Sequence, residues 1–438
     1  MKFYIETYGC QMNVSDSETV AGILVREGWG RAASMDDADL ILFNTCTVRQ
    51  HAEDRVIGRI TTEAQRKAQK PHLKIGVLGC VAQRLGESLI EQYPMIDLVV
   101  GTDQYLQLPR MLNMLDYWGV RTSTEENDQQ LYFDTHPVRG GRFSAFVTIM
   151  RGCNNYCSYC IVPYVRGRER SRIPDDIIME VHQAGQSGFK DITLLGQNVN
   201  SYCYNEVRFP ELLGRLNHVR TIRRLRFVTS HPKDLSDGLV EAMATLDKVC
   251  EHIHLPLQAG DDEILARMNR GYTAQHYLRL VEKLRAAVPG IAITTDIMCG
   301  FPGETEEQFR HTMELMETVR FDYAYTFKYS PRTGTAAAEL DGQVPEEVRL
   351  ERLNHLIDLQ TRITGEVYGE QVGQVKEVYV EQTSRKSSDE LSGKSRDFKI
   401  VVFPGDQIHI GDFVNVRITE ASGWTLRGEM VDTVPPEG

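Results

Sequence analysis

The sequence predicts an α/β protein in three parts: an N-terminal parallel sheet, a central partial (β/α)6 barrel and a small C-terminal β-barrel. Three observations carry this. Strand and helix patterns alternate from Phe3 to about residue 118, which favours a parallel sheet. Six further strand–helix units follow between residues 143 and 368. After Gly369 only short strands and polar turns remain, the pattern of a small closed sheet.

In the first part (1–118) the predicted strands are Phe3–Tyr8, Leu40–Phe43, Lys74–Leu78 and Asp97–Val100. Ser15 and Glu18 form a capping-box pattern ahead of Val20, Ile23 and Leu24 at helical spacing. Cys10, Cys46 and Cys80 each fall just past a strand's carboxyl end. Those ends share the ligand-binding edge of an open parallel sheet, so the three thiols are expected to converge. Spacing alone leaves open that they are three unrelated loop cysteines.

Residues 119–142 are polar and aperiodic and read as a linker crossing back over the first domain. The central block, 143–368, has candidate strands Ala145–Met150, Ile192–Leu195, Leu225–Thr229, His252–Leu255, Ile291–Ile297 and Tyr323–Phe327. In such barrels chemistry sits at the carboxyl ends of strands. Directly after the first strand stands Arg151-Gly152-Cys153-Asn154-Asn155-Tyr156-Cys157-Ser158-Tyr159-Cys160. Three thiolates at this spacing can hold three irons of a 4Fe–4S cluster, which would leave the fourth open for chemistry. A structural zinc site would want a fourth ligand, and a disulfide would leave one cysteine over.

In the last part (369–438), Val375–Val380, Lys399–Phe403, Phe413–Ile418 and Thr425–Met430 are predicted strands, and Arg385–Arg396 reads as a basic, flexible insertion.

The chain has 438 residues, 41% hydrophobic and 25% charged, with nine cysteines and a net charge of −12. That balance argues against nucleic-acid binding over the whole surface. Local basic stretches stand out: Arg139, Arg142, Arg151, Arg166, Arg168, Arg170 and Arg172 face one acid, Glu169. A second run is Arg215, Arg220, Arg223, Arg224, Arg226 and Lys233. Phosphate contact and internal ion pairing are both compatible with such stretches. No signal-peptide pattern or membrane-length apolar run is present, and cysteines without a secretory signal fit a reducing cytoplasm.

Together, the two cysteine trios and the terminal barrel resemble the methylthiotransferase family of radical S-adenosylmethionine (SAM) enzymes over essentially the full length. The strings carrying the resemblance are Glu6-Thr7-Tyr8-Gly9-Cys10-Gln11-Met12-Asn13, Asn44-Thr45-Cys46-Thr47-Val48-Arg49, and Arg151 through Glu169, including Ile161-Val162-Pro163-Tyr164-Val165-Arg166-Gly167-Arg168. Small departures are Ala259 in place of Ser, Cys299 in place of an aliphatic residue, and Gly393-Lys394-Ser395 in place of Gly-Arg-Thr.

The resemblance implies a flavodoxin-like auxiliary-cluster domain, a radical SAM barrel and an RNA-binding TRAM domain. It implies two 4Fe–4S clusters, one on Cys10, Cys46 and Cys80 and one on Cys153, Cys157 and Cys160. One SAM would supply a methyl group and another a 5′-deoxyadenosyl radical, so that methylthio is joined to C2 of an isopentenyl (dimethylallyl) adenosine beside a tRNA anticodon. Acceptors handled by sister branches, threonylcarbamoyladenosine in tRNA or a ribosomal-protein side chain, are the alternatives. Candidate SAM contacts are Tyr159, Gln197, Asn198, Ser230 and Gln258; strand-end capping would explain the last four as well. Arg166, Arg168 and Arg170 are candidates for RNA phosphates or for guarding the entrance. A flavodoxin- or ferredoxin-type electron donor, a monomeric state and a cytoplasmic location are also expected. Cys203, Cys250 and Cys299 are expected to be buried or incidental.

Overall fold

The computed structural model describes residues 1–433 except 48–49, 119–120, 128–129, 133–134, 142 and 406–407. Val48, Arg49 and Arg142, named above, therefore lie outside the described residues.

Strands β1 (Lys2–Tyr8), β2 (Gly30–Arg31), β3 (Leu40–Thr45), β4 (Lys74–Gly79), β5 (Leu98–Val100) and β6 (Thr122–Ser123) form one parallel sheet in the order 2-1-3-4-5-6. This is the flavodoxin-like order with one strand added. β3 is buried throughout, which is why it reads as a continuous apolar run rather than an alternating one. The sixth strand comes from the segment predicted as a linker. Tyr132, in the same segment, stacks on Tyr105 at 5.3 Å and donates to the Thr102 carbonyl at 2.8 Å.

Helix α1 (Gln11–Arg26) corrects the predicted capping box. It starts directly after Cys10, so Ser15 and Glu18 lie inside it. These polar groups serve the following segments instead: Ser15 Oγ pairs with Thr148 Oγ1 of the central block at 2.9 Å, and Glu18 accepts from the Gly140 amide of the linker at 3.0 Å.

In the centre, β7 (Ser144–Thr148) is followed by β8 (Met150–Arg151), which pairs with β9 (Arg170–Ser171) around the cysteine loop. β10 (Asp191–Leu195) lies between β7 and, after the small hairpin β11 (Cys203–Tyr204) and β12 (Val207–Arg208), β13 (Arg224–Phe227). β14 (His252–His254), β15 (Ala292–Cys299) and β16 (Tyr323–Lys328) form a second parallel trio. A bridge between Leu225 and Val249 joins the two trios. The six predicted barrel strands are thus present as an open arc around a single apolar core.

β17 (Val375–Thr383), β18 (Glu390–Ser395), β19 (Ile400–Pro404), β20 (Phe413–Ser422) and β21 (Thr425–Thr433) close a barrel in the order 17-18-19-21-20. Half of the segment predicted as a flexible insertion, Glu390–Ser395, is β18, with Leu391, Ser392, Gly393 and Ser395 buried. Its alternating polar side chains disguised a strand whose glycine is required: a Cβ at Gly393 would lie 2.0 Å from the Tyr379 carbonyl oxygen.

This barrel seats on the amino ends of the central strands. Arg224, fully buried, bonds Glu377 (2.7 Å) and the Lys394 carbonyl (2.7 Å). Arg226 reaches the carbonyls of Ser395 and Arg396, Arg396 pairs with Glu251, and Phe398 stacks on His252 at 4.7 Å. Half of the second basic run, Arg223, Arg224 and Arg226, is therefore a docking surface.

Candidate functional site: two cysteine trios at one seam

Cys10, Cys46 and Cys80 sit in one row because their strands are neighbours in register: Tyr8 pairs with Thr45, and Thr45 with Gly79. Gly79 adopts φ +87°, and a Cβ there would lie 2.3 Å from Asn44 Oδ1. Only glycine allows Cys80 to turn in so closely. Beneath the row is a buried amide pair. Asn13 donates to Asn44 Oδ1 at 3.1 Å, Asn44 donates to the Asn13 carbonyl at 2.9 Å, and the Cys10 thiol donates to Asn13 Oδ1 at 3.3 Å. A hydrogen bond with Cys46, aided by the Arg166 charge, brings the Cys10 thiol down to about 6. Burial pushes Cys80 up, with Arg166 opposing it.

The second trio lies on the loop between β8 and β9. Gly152 has φ +79°, and a Cβ there would lie 1.9 Å from the Arg168 carbonyl oxygen. The Gly152 amide donates to Gln197 Oε1 at 2.5 Å, and the Ser158 amide to the Met268 carbonyl at 3.1 Å. Burial raises Cys153 to about 11 and Cys160 to about 12, so these thiols need a metal or cation to ionise. Arg270, itself buried, donates to Cys157 Sγ at 3.4 Å and to the Pro256 carbonyl at 2.9 Å.

Among the described residues no three His, Cys, Asp or Glu side chains are grouped to share a single metal ion. Cysteine trios at strand ends and on one loop suit a different guest. A four-iron cube takes one thiolate per corner, so its ligands stand apart.

The two trios meet. Cys80 packs against Ile161 and Val165, which directly follow the second trio. The join is electrostatic as well: buried Asp16 on α1 accepts from Arg151 (2.9 Å), Arg166 (2.8 Å) and the Tyr105 hydroxyl (3.2 Å). Arg170 pairs with buried Asp103 at 3.0 Å. Arg139 and Arg172 share Glu180 at 2.6 and 2.7 Å. Arg166 and Arg170, candidates for RNA phosphates or for guarding the entrance, are both buried and paired with Asp16 and Asp103. Arg168 remains exposed.

The candidate SAM contacts divide. Gln197 braces the cysteine loop. Tyr159 packs on the core, its hydroxyl 3.5 Å from Arg270. Asn198 donates to Asp234 at 2.7 Å, but its Oδ1 is buried with no partner. Ser230 Oγ and His231 Nε2, after the next strand, are buried and unpartnered too. Burial also drives His231 down to about 2, keeping it neutral. Orphaned buried polar atoms in a native fold call for a missing partner. The backbone is strained at the same edge: Thr229 has φ +69° and Gln258 φ +73°, conformations retained mainly at functional sites. These donors and acceptors at the strands' carboxyl ends fit an amino-acid-bearing nucleoside such as SAM. Cys250 and Cys299 are buried and Cys203 is exposed.

Sequence reasoning missed Asp16, Asp103, Arg270 and His231. The surplus of arginines between residues 139 and 172 was the available signal, because buried guanidinium groups need acids from elsewhere in the chain.

Three family descriptions match: "Uncharacterized protein family UPF0004" over residues 2–101, "Radical SAM superfamily" over 147–316 and "TRAM domain" over 369–431. A curated protein of Thermoanaerobacter sp. (strain X514), named tRNA-2-methylthio-N(6)-dimethylallyladenosine synthase, is 49% identical over 99% of this chain and 93% of its own length. Proteins of that name from Bacteroides fragilis (strain ATCC 25285) and Clostridium botulinum (strain Langeland) are 46% and 44% identical, each over 98% of this chain and 96% and 97% of their own. Among solved structures, the radical SAM methyltransferase TsrM from Kitasatospora setae superposes with a TM-score of 0.59 at 15% identity, over 74% of this chain and 72% of that one. That last likeness concerns the fold alone. By full-length identity and by all three matched domains, the chain belongs to the radical SAM methylthiotransferase family, alongside the tRNA-2-methylthio-N(6)-dimethylallyladenosine synthases.

Proposed function

We propose that this protein adds a methylthio group to C2 of N6-isopentenyl (dimethylallyl) adenosine in tRNA. The observation that carries the reading is the seam, where two cysteine trios from different domains are joined through Asp16, Arg151 and Arg166. A reaction that both activates a C–H bond and delivers sulfur needs two such centres within reach of one substrate atom.

Cys153, Cys157 and Cys160 would hold one 4Fe–4S cluster, and Cys10, Cys46 and Cys80 the other. Bound SAM and the clusters supply the radical C–H chemistry and the methylthio group, which no side chain provides. The residues of this chain aim and insulate that chemistry. Gly152 and Gln197 set the loop's shape, and Arg270 puts a fixed positive charge against Cys157. Asn198, Ser230 and His231 offer unpartnered polar atoms to SAM. Asp16 fixes the distance between the trios. Parts bounded at 1–118, 143–368 and 369–438, with a linker at 119–142, would divide the work into sulfur delivery, radical generation and tRNA grip. No helix among the described residues is long and apolar enough to cross a membrane. We assign the enzyme to the cytoplasm, as a monomer reduced by a flavodoxin- or ferredoxin-type donor.

The test is mass spectrometry of tRNA nucleosides after anaerobic incubation of reconstituted protein with SAM, reductant and sulfide. The tRNA carries either isopentenyl- or threonylcarbamoyl-adenosine. A methylthio product on the isopentenyl tRNA alone is expected. Product only on the other tRNA would move the acceptor, and none on either, with two clusters present and SAM cleaved, would point to a different acceptor such as a ribosomal protein.

A further inference from the structure

Two large aromatic side chains stand in solvent at the seam. Tyr156, 43% exposed, lies inside the cysteine loop, directly before Cys157. Tyr164, 52% exposed, lies on the short helix Val162–Arg166. Its neighbours Ile161 and Val165 turn the other way and cover Cys80. The rings meet edge to face, 6.2 Å apart at 81°. Together they form an exposed aromatic step running from one cysteine trio to the other.

The step is built. Tyr156 has φ +46°, unfavourable for a side chain of its size. Asn269, itself at φ +57°, holds the turn by donating to the carbonyls of Asn155 (3.1 Å) and Tyr156 (3.0 Å). Strain of this kind persists only where surrounding contacts over-determine it. Here they hold an aromatic ring out of the core. Exposed cations accompany the step: Lys233, which donates to Asn155 Oδ1 at 2.6 Å, and Arg168, four residues after Tyr164 in sequence. An aromatic platform with cations beside it is the arrangement that single-stranded RNA recognises, bases on rings and phosphates on cations.

We infer that Tyr156 and Tyr164 stack RNA bases adjacent to the modified adenosine and hold it at the seam. This rests on the tRNA reading above and deepens it: the partner is an unpaired, stackable RNA loop, and its register is set by the two rings.

The experiment is fluorescence anisotropy with a labelled anticodon stem–loop RNA and the full-length, reconstituted protein. Tyr164→Ala should raise Kd roughly tenfold, while Tyr164→Phe and Tyr156→Phe, which keep the ring, bind like the unsubstituted protein. Iron content and melting temperature should not move, since both rings are exposed. Lys233→Gln and Arg168→Gln should each reduce the salt slope of binding by about one. Unchanged RNA affinity in Tyr164→Ala would overturn the inference. So would unchanged RNA affinity with weakened docking of a flavodoxin-type donor, which would give the step to the donor. If the unsubstituted protein bound no RNA, the tRNA reading itself would fall, and the inference with it.

Discussion

Asp16→Asn removes one charge from the centre of the seam and leaves its shape nearly intact. Asp16 carries two buried guanidinium groups, at 2.9 and 2.8 Å, and a tyrosine hydroxyl at 3.2 Å. Breaking a buried pair by deleting one partner costs about 3–5 kcal/mol, because the remaining charge stays buried. At 1.4 kcal/mol per tenfold, about 4 kcal/mol is roughly a thousandfold in a local opening equilibrium. The readout is hydrogen exchange of peptides spanning residues 145–170 in the metal-free protein, where protection should fall by about that factor. The pH course adds a second constraint. Burial pushes the Asp16 carboxyl up, but Arg151 and Arg166 outweigh it, so it titrates below its ordinary value. A depressed folded pKa gives stability that is complete above the unfolded value of about 3.9. That stability is lost only as pH falls through the folded value. The difference between the unsubstituted and Asp16→Asn proteins should therefore be flat from about pH 8 to about pH 5. A loss below about 1 kcal/mol, the worth of an exposed pair, would show that apolar contacts alone hold the seam and refute the reasoning.

Other predictions concern individual parts. Ser230→Ala should weaken SAM binding about 2- to 12-fold, the worth of one hydrogen bond, with no loss of thermal stability, because Ser230 Oγ has no partner to lose; equilibrium dialysis and calorimetry separate the two effects. Gly152→Ala should abolish the iron bound by the loop trio, since its Cβ would sit 1.9 Å from the Arg168 carbonyl oxygen; iron analysis would show about four irons per chain remaining, those of the other trio. Arg224→Ala leaves Glu377 with Arg223 as its ion-pair partner and removes the bond to the Lys394 carbonyl, so limited proteolysis near residues 370–375 should release that barrel faster than from the unsubstituted protein.

Local chemistry was legible in the sequence. Strand ends and the loop trio depend on neighbours within a few residues, and the strands lie where apolar runs place them; the trio of Cys10, Cys46 and Cys80 is spread along the chain and was legible only through its place at strand ends and the family resemblance. Long-range pairing was not. Asp16 lies 135 residues from Arg151 and 150 from Arg166, and an aspartate within a helix has no local feature that names its partner. The same reason explains why Arg166 and Arg170 looked like a surface and proved to be interior. β18 was missed because its buried positions are filled by Ser and Gly as well as Leu391, small residues chosen for close strand approach rather than for apolar area.

The terminal barrel closes the amino-end floor of the central arc with Arg224, Arg226, His252 and Phe398 among the joined groups. A truncation before residue 369 therefore does more than remove a grip on RNA. It strips partners from buried guanidinium groups and uncovers the underside of the catalytic core, so a dead truncated enzyme says little about its acceptor. Substitutions on the outer strands of that barrel, with the floor left sealed, separate loss of substrate from loss of architecture.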